Sequence, residues 1–419
     1  MSFCSSYLNF IVPLIAIILG TVFLTYQTHR TTNETYKYPL QNEIIPYDTL
    51  LYISFDVKKE LIEGHTTIFL NVTKQVESIR ISAADMIWDL FSANLVDSLN
   101  QSIPIATYHI DEENQLVIIK LGQVIPSGLY QLFMDFGSQI RKDLMGCYLT
   151  YVNDTSGIRH PFIISQFEPN YARTCFPTFD EPNVKMPFTI TVTAPYDLDI
   201  VSNTQSESIS FSESDSGEKL KTVTFSKSPK MSAYLVAFGI GPFQWITDSS
   251  AAGYNASDFQ FASSIAKRSL DFFQSYLIPS YPLSHLQLLL SPNFAAGAME
   301  NYGLLIFRGE YLQISESSNT DQQRRVAYVV AHEIAHQWFG DAVTTSDWSD
   351  VFIQEGFATI YQILHEALNA EIDWFLLHDI EEYYDYDAYS YSSALKIDGL
   401  SGLNAVNSFS ALSYTKVLE

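Results

Sequence analysis

A pair of histidines four residues apart, in the segment His332–His336 (H-E-I-A-H), constrains the fold of this chain more than any other feature. Residues four apart lie on one face of a helix, so both imidazoles can reach the same metal ion. The apolar run Val326–Ala331 before them is typical of a buried helix. Glu355 follows in a second apolar segment, far enough along for the chain to turn back. Two imidazoles and one carboxylate are the ligands of a catalytic zinc site with an open position.

Two further features sit near this pattern. Glu333 follows the first histidine directly, where it can act on a water at the metal. Upstream, Gly297–Asn301 (G-A-M-E-N) places small residues around one carboxylate, which can pair with a cation on a substrate. Alone, the first motif would be two histidines on a helix face and the second an ordinary turn. Together they favour a functional site.

The order and spacing of these motifs resemble the gluzincin aminopeptidases of the membrane alanyl and glutamyl type. The similarity runs from about residue 45 to the end of the chain. The resemblance implies a multidomain α+β fold, with an N-terminal antiparallel β-sandwich or saddle domain followed by a partial thermolysin-like α/β zinc-peptidase domain. The flanking segments that also match are Gln166–Pro169, Ala172–Arg173, Phe176–Pro182, Met231–Phe238, His336–Gly340 and Glu355–Ala358.

The resemblance also implies a metal and a catalytic base. One zinc ion per chain would be bound by His332, His336 and Glu355. Glu333 would be the general base that takes a proton from water at the zinc. In the family a tyrosine about 60 residues after the carboxylate ligand donates a hydrogen bond to the developing oxyanion. Tyr414 occupies the matching place here, in Ser413–Lys416. Val417 stands where a glycine usually follows the lysine in the family.

Substrate recognition is implied by the same resemblance. Glu300 would hold the free α-amino group of a peptide and restrict cleavage to the first peptide bond. Glu168 would be a second group facing that amine. An ammonium taken out of water needs such carboxylate partners. The other residues expected to face the substrate are Gln166, Gly297, Ala298, Met299 and Asn301.

The chain also departs from the family pattern. It ends at Glu419, where family members continue with further helices, and Gln354 stands where an asparagine usually precedes the carboxylate ligand. We therefore expect a C-terminally truncated zinc aminopeptidase. A truncated module that binds zinc and peptide ends with little turnover is the alternative. A zinc endopeptidase is a third possibility, which Glu300 disfavours.

An apolar run near the N-terminus suggests an anchor. Leu8 to Tyr26 carries no charge and is long enough for a short bilayer span, and no clear cleavage site follows it. We expect residues 1–30 to be a cytosolic tip and signal-anchor, 31–42 a stalk, 43–244 the β-rich domain and 245–419 the catalytic domain. The predicted location is the cell membrane, with one span and an extracellular catalytic domain. Secretion after signal-peptide cleavage is the alternative.

Charge narrows the range of partners. The net charge of −24 argues against nucleic acid, because binding phosphates needs clustered lysine and arginine. The expected partners are peptides with a free N-terminus and, through the anchor, a membrane; the sequence does not determine an oligomeric state. Five sequons predict N-glycosylation, at Asn33, Asn71, Asn100, Asn153 and Asn255.

Cysteines are few. Cys147 and Cys175 are the two that follow the apolar run. A disulfide between them would be possible in an oxidising compartment, and two buried free thiols fit the sequence equally well.

Short apolar segments between turn residues predict a β-rich region from about Glu43 to Gln244. Ser206–Glu218, rich in serine and acidic residues, is expected to be a loop at a hairpin tip. Beyond Trp245 the pattern becomes helical, with one strand at His285–Leu290. The predicted strands of the first region are Leu51–Val57, Thr66–Val72, Gln115–Leu121, Leu129–Phe136, Phe188–Thr193 and Val223–Ser226.

Overall fold

The first half of the protein is built from sheets and the second half adds helices. The structure is a computed structural model that describes residues 41–154, 156–245, 257–315 and 317–367, together with residues 405, 409 and 414. The strands of the first half are β1 Ile44–Asp56, β2 Leu61–Val72, β3 Val76–Ser82, β4 Ser92–Asp97, β5 Ser102–Ile103, β6 Ile105–Asp111, β7 Leu116–Ile125, β8 Gly128–Gln139, β9 Gly146–Asn153, β10 Arg159–Gln166, β11 Phe188–Pro195, β12 Asp199–Ser202, β13 Ser206–Glu213, β14 Lys219–Phe225 and β15 Phe238–Gly241.

Three sheets arise from these strands. The largest has the order β13-β14-β11-β1-β2-β8-β4-β5, and the smaller ones are β12-β15-β10-β9 and β3-β7-β6. The pairing is antiparallel except between β1 and β11, which run parallel. Every second residue of β1 from Thr49 to Phe55 is buried, among them Leu51 and Ile53. This alternation places one face of the large sheet against the main hydrophobic core.

The second half surrounds a small sheet of order β16-β18-β17 with helices. A separate hydrophobic core, which includes Phe273, Leu305, Phe307 and Ala358, joins these helices to the sheet. The predicted α+β architecture is therefore confirmed. The elements are β16 Gln287–Ser291, β17 Ala298–Met299, β18 Leu304–Arg308, α1 Ser257–Tyr276, α2 Thr320–His336 and α3 Val351–Ala367.

All six strands predicted for the first half lie within or overlap observed strands, but the loop prediction for Ser206–Glu218 is wrong over most of its length. Ser206–Glu213 forms β13, the fully exposed edge strand of the large sheet. Serines alternate there with Ile209 and Phe211, a period-2 pattern that high polarity concealed. The turn is confined to residues 214–218, where the Ser214 amide donates to the Glu218 carbonyl at 2.8 Å.

The predicted location in the cell membrane is contradicted. Among the residues that the structure describes, no helix is long and apolar enough to cross a bilayer. The proposed anchor and stalk, residues 1–30 and 31–42, lie outside the described residues, apart from residues 41 and 42.

The predicted glycosylation sites are partly described. Asn71, Asn100 and Asn153 are all exposed. Asn33 and Asn255 lie outside the described residues. Glycosylation at all five, like the domain boundary at residues 244–245, stays a prediction.

A buried ion cluster stabilises the loop after β10. Arg173 is fully buried, and its Nε donates to Oδ2 of Asp180 at 2.9 Å. The Arg173 backbone amide donates to the same oxygen at 3.0 Å. Glu181 is also buried, with its carboxylate 3.6 Å from the guanidinium. Burial raises the pKa of Glu181 to about 7 although Arg173 lowers it.

This raised pKa predicts a pH-dependent stability. The unfolded chain ionises Glu181 near its ordinary pKa of 4.5, whereas the folded chain keeps the proton until about pH 7. Glu181 therefore lowers the free energy of unfolding progressively across that window. In urea denaturation, the free energy of unfolding of Glu181→Gln should rise relative to that of the parent by about 2 kcal/mol as the pH goes from about 5 to about 8. Glu63→Gln, at an exposed position on β2, is the control and should change the free energy of unfolding by less than about 0.5 kcal/mol. If Glu181→Gln changed the free energy of unfolding equally at the two pH values, the raised pKa of Glu181 would be contradicted.

Candidate metal centre and adjoining carboxylates

Helix α2 carries the histidine pair and is fixed at its start and along one face. The Asn319 side chain caps it by accepting a hydrogen bond from the Gln322 amide at 2.9 Å. Val326, Val330 and Ile334 are fully buried in the second core. Because these residues recur at helical spacing, their burial sets the rotation of the helix. The histidines are held in position by that packing.

The structure brings the three predicted metal ligands together. His332 and His336 come from α2 and Glu355 from α3, and all three are buried. Their ligand atoms all lie within 4.8 Å of one another. The Nε2 atoms of the two histidines are 2.9 Å apart. Oε2 of Glu355 lies 3.4 Å from Nε2 of His332 and 3.3 Å from Nε2 of His336.

This geometry fits a small divalent ion. A tetrahedral zinc about 2.1 Å from each donor separates its ligand atoms by roughly 3.4 Å. Both carboxylate–imidazole distances agree with that value, and the imidazole pair is slightly closer. The Nδ1 atom of His336 lies 2.7 Å from the Phe339 carbonyl oxygen, so a proton there leaves Nε2 free for a metal. The donor set of two nitrogens and one oxygen suits a divalent transition metal ion.

The electrostatics of His336 and Glu355 also suit a cation. Burial lowers the pKa of His336, but the carboxylates of Glu300 and Glu355 outweigh it and raise the pKa well above its ordinary value. Burial opposes the ionisation of Glu355, and the neighbouring histidines bring its pKa down to about 2. The cluster therefore stabilises a positive charge at its centre. A bound metal ion would supply that charge in place of a proton.

Glu333 faces the same region from α2. Its side chain is 6% exposed, and its Oε2 atom has no hydrogen-bond partner among the described residues. Burial raises the pKa of Glu333 well above its ordinary value, with His336 acting in the opposite direction. A buried carboxylate oxygen needs a hydrogen-bond donor, and a water molecule or a substrate group could be that donor.

Glu300 is held beside the candidate metal ligands by Gln337, the residue that follows α2. Gln337 donates from Nε2 to the Glu300 carbonyl oxygen at 2.7 Å and accepts from the Gly303 amide at 3.2 Å. A Cβ atom at Gly340 would lie 3.2 Å from Nδ1 of His336 and 3.6 Å from Oε1 of Glu300, so both groups flank this glycine. Gly340 also has a φ of +125°, which only glycine adopts without strain. Oε1 of Glu300 is buried without a partner among the described residues.

The rest of the G-A-M-E-N segment is arranged by the small sheet. Ala298 and Met299 form β17, which pairs with β18, and the Gly297 carbonyl accepts from the Arg308 amide at 2.9 Å. The Gly297 carbonyl is thus already used within the fold. Asn301 is fully buried, and neither Nδ2 nor Oδ1 of its side chain has a hydrogen-bond partner among the described residues.

Glu168 reaches the site from the first half of the chain. Gln354, the residue before the predicted carboxylate ligand, donates from Nε2 to Oε1 of Glu168 at 3.3 Å. Burial and the carboxylates of Glu300 and Glu355 raise the pKa of Glu168 well above its ordinary value. Nearby, Gln166 donates to the Met299 sulfur at 3.4 Å. Carboxylates gathered in this way disfavour one another's ionisation, and an ammonium group placed among them would offset that repulsion.

Tyr414 is also near the cluster. Its ring centroid lies 6.0 Å from that of His332. Burial raises the pKa of its hydroxyl well above the ordinary value, and the carboxylates of Glu355 and Glu168 add to the effect. The phenol therefore stays protonated near neutral pH and can donate a hydrogen bond.

Three contacts that the sequence did not predict connect the first half of the chain to this site. The Lys185 ammonium donates to the Asp341 carbonyl at 2.8 Å and to the Ala342 carbonyl at 3.0 Å, just after α2. The Tyr234 hydroxyl donates to the Gly340 carbonyl at 3.3 Å. Gln354 to Glu168 is the third. No motif marks Lys185. Tyr234 lies in the matching segment Met231–Phe238, which implied no role for it, and Gln354 was marked by its place next to Glu355.

Comparisons with known proteins match both halves of the chain. Residues 34–235 match the family described as Peptidase M1 N-terminal domain, and residues 261–419 match the Peptidase family M1 domain. Aminopeptidase M1 of Arabidopsis thaliana is 34% identical over 71% of this chain and 34% of its own length. The puromycin-sensitive aminopeptidase of Caenorhabditis elegans is 30% identical over 73% and 33%. Human glutamyl aminopeptidase is 32% identical over 74% and 34%. The matched part of the chain thus spans about a third of the length of these relatives.

Proposed function

This chain belongs to peptidase family M1, and on that basis we propose that it is a zinc-dependent aminopeptidase acting on peptides with a free N-terminus. One observation carries the proposal. A buried group of two histidines and a glutamate, with ligand atoms within 4.8 Å of one another, adjoins the carboxylates of Glu300 and Glu168. The first group can hold a metal and the second an ammonium, so the peptide bond next to an N-terminus would lie between them.

The proposed chemistry divides among named residues. Zinc, bound by His332, His336 and Glu355, would supply Lewis-acid polarisation of the scissile carbonyl. Glu333 would accept a proton from the attacking water at its unpartnered Oε2 and deliver it to the leaving amine. The Tyr414 hydroxyl would donate a hydrogen bond to the oxygen that gains charge.

Recognition of the amine would select the first peptide bond. Glu300 and Glu168 would accept hydrogen bonds from the α-ammonium, a charge-assisted interaction that an acetylated N-terminus cannot make. Gln354 would orient Glu168 through its 3.3 Å hydrogen bond. Gln166 and Met299 would line the same region, where their side chains meet.

The function is tested by metal content and turnover together. The full chain, loaded with zinc, should release fluorophores from aminoacyl substrates but not from their N-acetylated counterparts. A chelator should abolish that activity and added zinc should restore it. Equal cleavage of free and acetylated substrates would contradict an aminopeptidase. Bound zinc without any turnover would contradict the proposed catalysis.

Replacing one amine-binding carboxylate should weaken use of the free N-terminus. We expect Glu300→Gln to lower kcat/KM by roughly 10- to 100-fold, because a hydrogen bond to a charged group is lost. Zinc content should not change. Glu310→Gln is the matched control, since Glu310 is half exposed in the same region and pairs with Arg308 instead. It should alter kcat/KM less than about twofold. An unaltered kcat/KM in Glu300→Gln would remove Glu300 from amine recognition.

A further inference from the structure

Two cysteines distant in the chain lie side by side in the interior. Cys147 lies in β9, and Cys175 follows the short 3-10 helix Ala172–Thr174. Both side chains are buried, and both are free thiols in the structure. Their sulfur atoms are only 2.8 Å apart. A disulfide joins sulfurs at about 2.05 Å, so bond formation needs a movement of less than about 1 Å.

The two segments that carry the cysteines also approach each other closely, independently of the sulfur positions. Gly146 precedes Cys147, and a Cβ atom there would lie 2.6 Å from Oγ1 of Thr174, the residue before Cys175. The Cys147 carbonyl accepts from the Arg141 amide at 2.8 Å, which fixes one side of the contact. The Cys175 carbonyl accepts from the Ser138 hydroxyl at 3.3 Å, which fixes the other. The fold therefore holds the two segments in cross-linking range.

We propose that Cys147 and Cys175 are a disulfide-forming pair that reacts with a low-molecular-weight disulfide such as oxidised glutathione. One cysteine thiolate attacks the small disulfide, forming a mixed disulfide and releasing one small thiol. The second thiolate then displaces the other small thiol and forms the Cys147–Cys175 bond. Two electrons pass from the cysteines to the small disulfide, and the two protons end on the released thiols.

Burial determines when this reaction can occur. Burial raises the pKa of the Cys147 thiol, and neither sulfur is exposed to a solvent-borne oxidant in the folded chain. Exchange therefore takes place while the segment is open, during folding or local unfolding, and the closed fold then protects the bond.

The cross-link would close a ring from residue 147 to residue 175 that contains β10, Gln166 and Glu168. Closing a ring of this size removes entropy from the unfolded chain. We expect the oxidised protein to have a Tm about 5–10 °C above that of the reduced protein. The inference rests on the cysteine geometry and does not depend on the proposed function.

The experiment uses the full chain with Cys4→Ser, which leaves these two thiols. The chain is refolded in glutathione buffers of increasing oxidised fraction, denatured, alkylated without reduction and digested for mass spectrometry. We expect a peptide pair joined through Cys147 and Cys175, and a Tm that falls when a phosphine reductant is added. In Cys147→Ser the reductant should not change the Tm.

Two outcomes would overturn the proposal. One is full alkylation of both cysteines at every glutathione ratio. The alkylated fraction is measured on all of the recovered protein, so that a poorly folded product also contradicts the proposal. The other is a cross-link that forms to the same extent in about 6 M urea as in the folding buffer, because the fold would then contribute nothing.

Discussion

Glu333→Gln is expected to lower kcat by about 10²- to 10⁴-fold while zinc content stays at about one per chain. Glutamine keeps the shape of the side chain but cannot accept a proton, and Glu333 is not among the three residues whose ligand atoms cluster. KM should change little, because the proposed amine contacts come from Glu300 and Glu168. Loss of turnover without loss of metal would therefore separate proton transfer from zinc binding.

The measurement is steady-state release of an aminoacyl fluorophore, with zinc determined on the same samples. Asp321→Asn is the matched control, since it changes one carboxylate to an amide in the exposed first turn of the same helix. Its kcat should lie within about twofold of the parent. A Glu333→Gln enzyme with more than a tenth of the parent activity would refute the assigned base.

Arg173→Met is expected to lower the free energy of unfolding by about 3–5 kcal/mol. The substitution fills a similar volume but leaves the buried carboxyl groups of Asp180 and Glu181 without their cation. It also removes the hydrogen bonds from the guanidinium to Oδ2 and to the carbonyl of Asp180, at 2.9 and 2.6 Å. Breaking one side of a buried ion pair costs more than any exposed pair contributes.

Urea denaturation of the two proteins at neutral pH measures this change. Lys227→Met is the matched control, because Lys227 pairs with Asp48 at the surface and should cost less than about 1 kcal/mol. The loss in Arg173→Met should shrink at acidic pH, where protonation neutralises Asp180 and Glu181 in both folded and unfolded chains. A loss that is equally large at acidic pH would show that packing, not charge, governs the effect.

The sequence predicted the grouping of two histidines and a glutamate well because its geometry is largely local. Helical periodicity places His332 and His336 on one face, and only the return of α3 with Glu355 required tertiary structure. The position of Glu168 could not be derived in this way. It comes from the first half of the chain, and only resemblance to a family connected it with the site.

Contacts made by ordinary residues were not predictable. Lys185 binds two backbone carbonyls, and a backbone acceptor leaves no trace in a sequence. Gln354 was recognised only as a departure from a family pattern, whereas its hydrogen bond to Glu168 depends on the packing of two distant segments. Strand β13 was missed because burial, which usually reveals a strand through apolar alternation, is lacking at an exposed edge.

The hydrogen bonds that Lys185, Tyr234 and Gln354 make across the molecule bear on how the protein is synthesised. During translation the sheets emerge from the ribosome first, and Glu355 follows much later. The predicted set of metal ligands is therefore incomplete until Glu355 has been synthesised. Under the proposed function, a partly made chain would therefore be inactive until its C-terminal helices had joined the sheets.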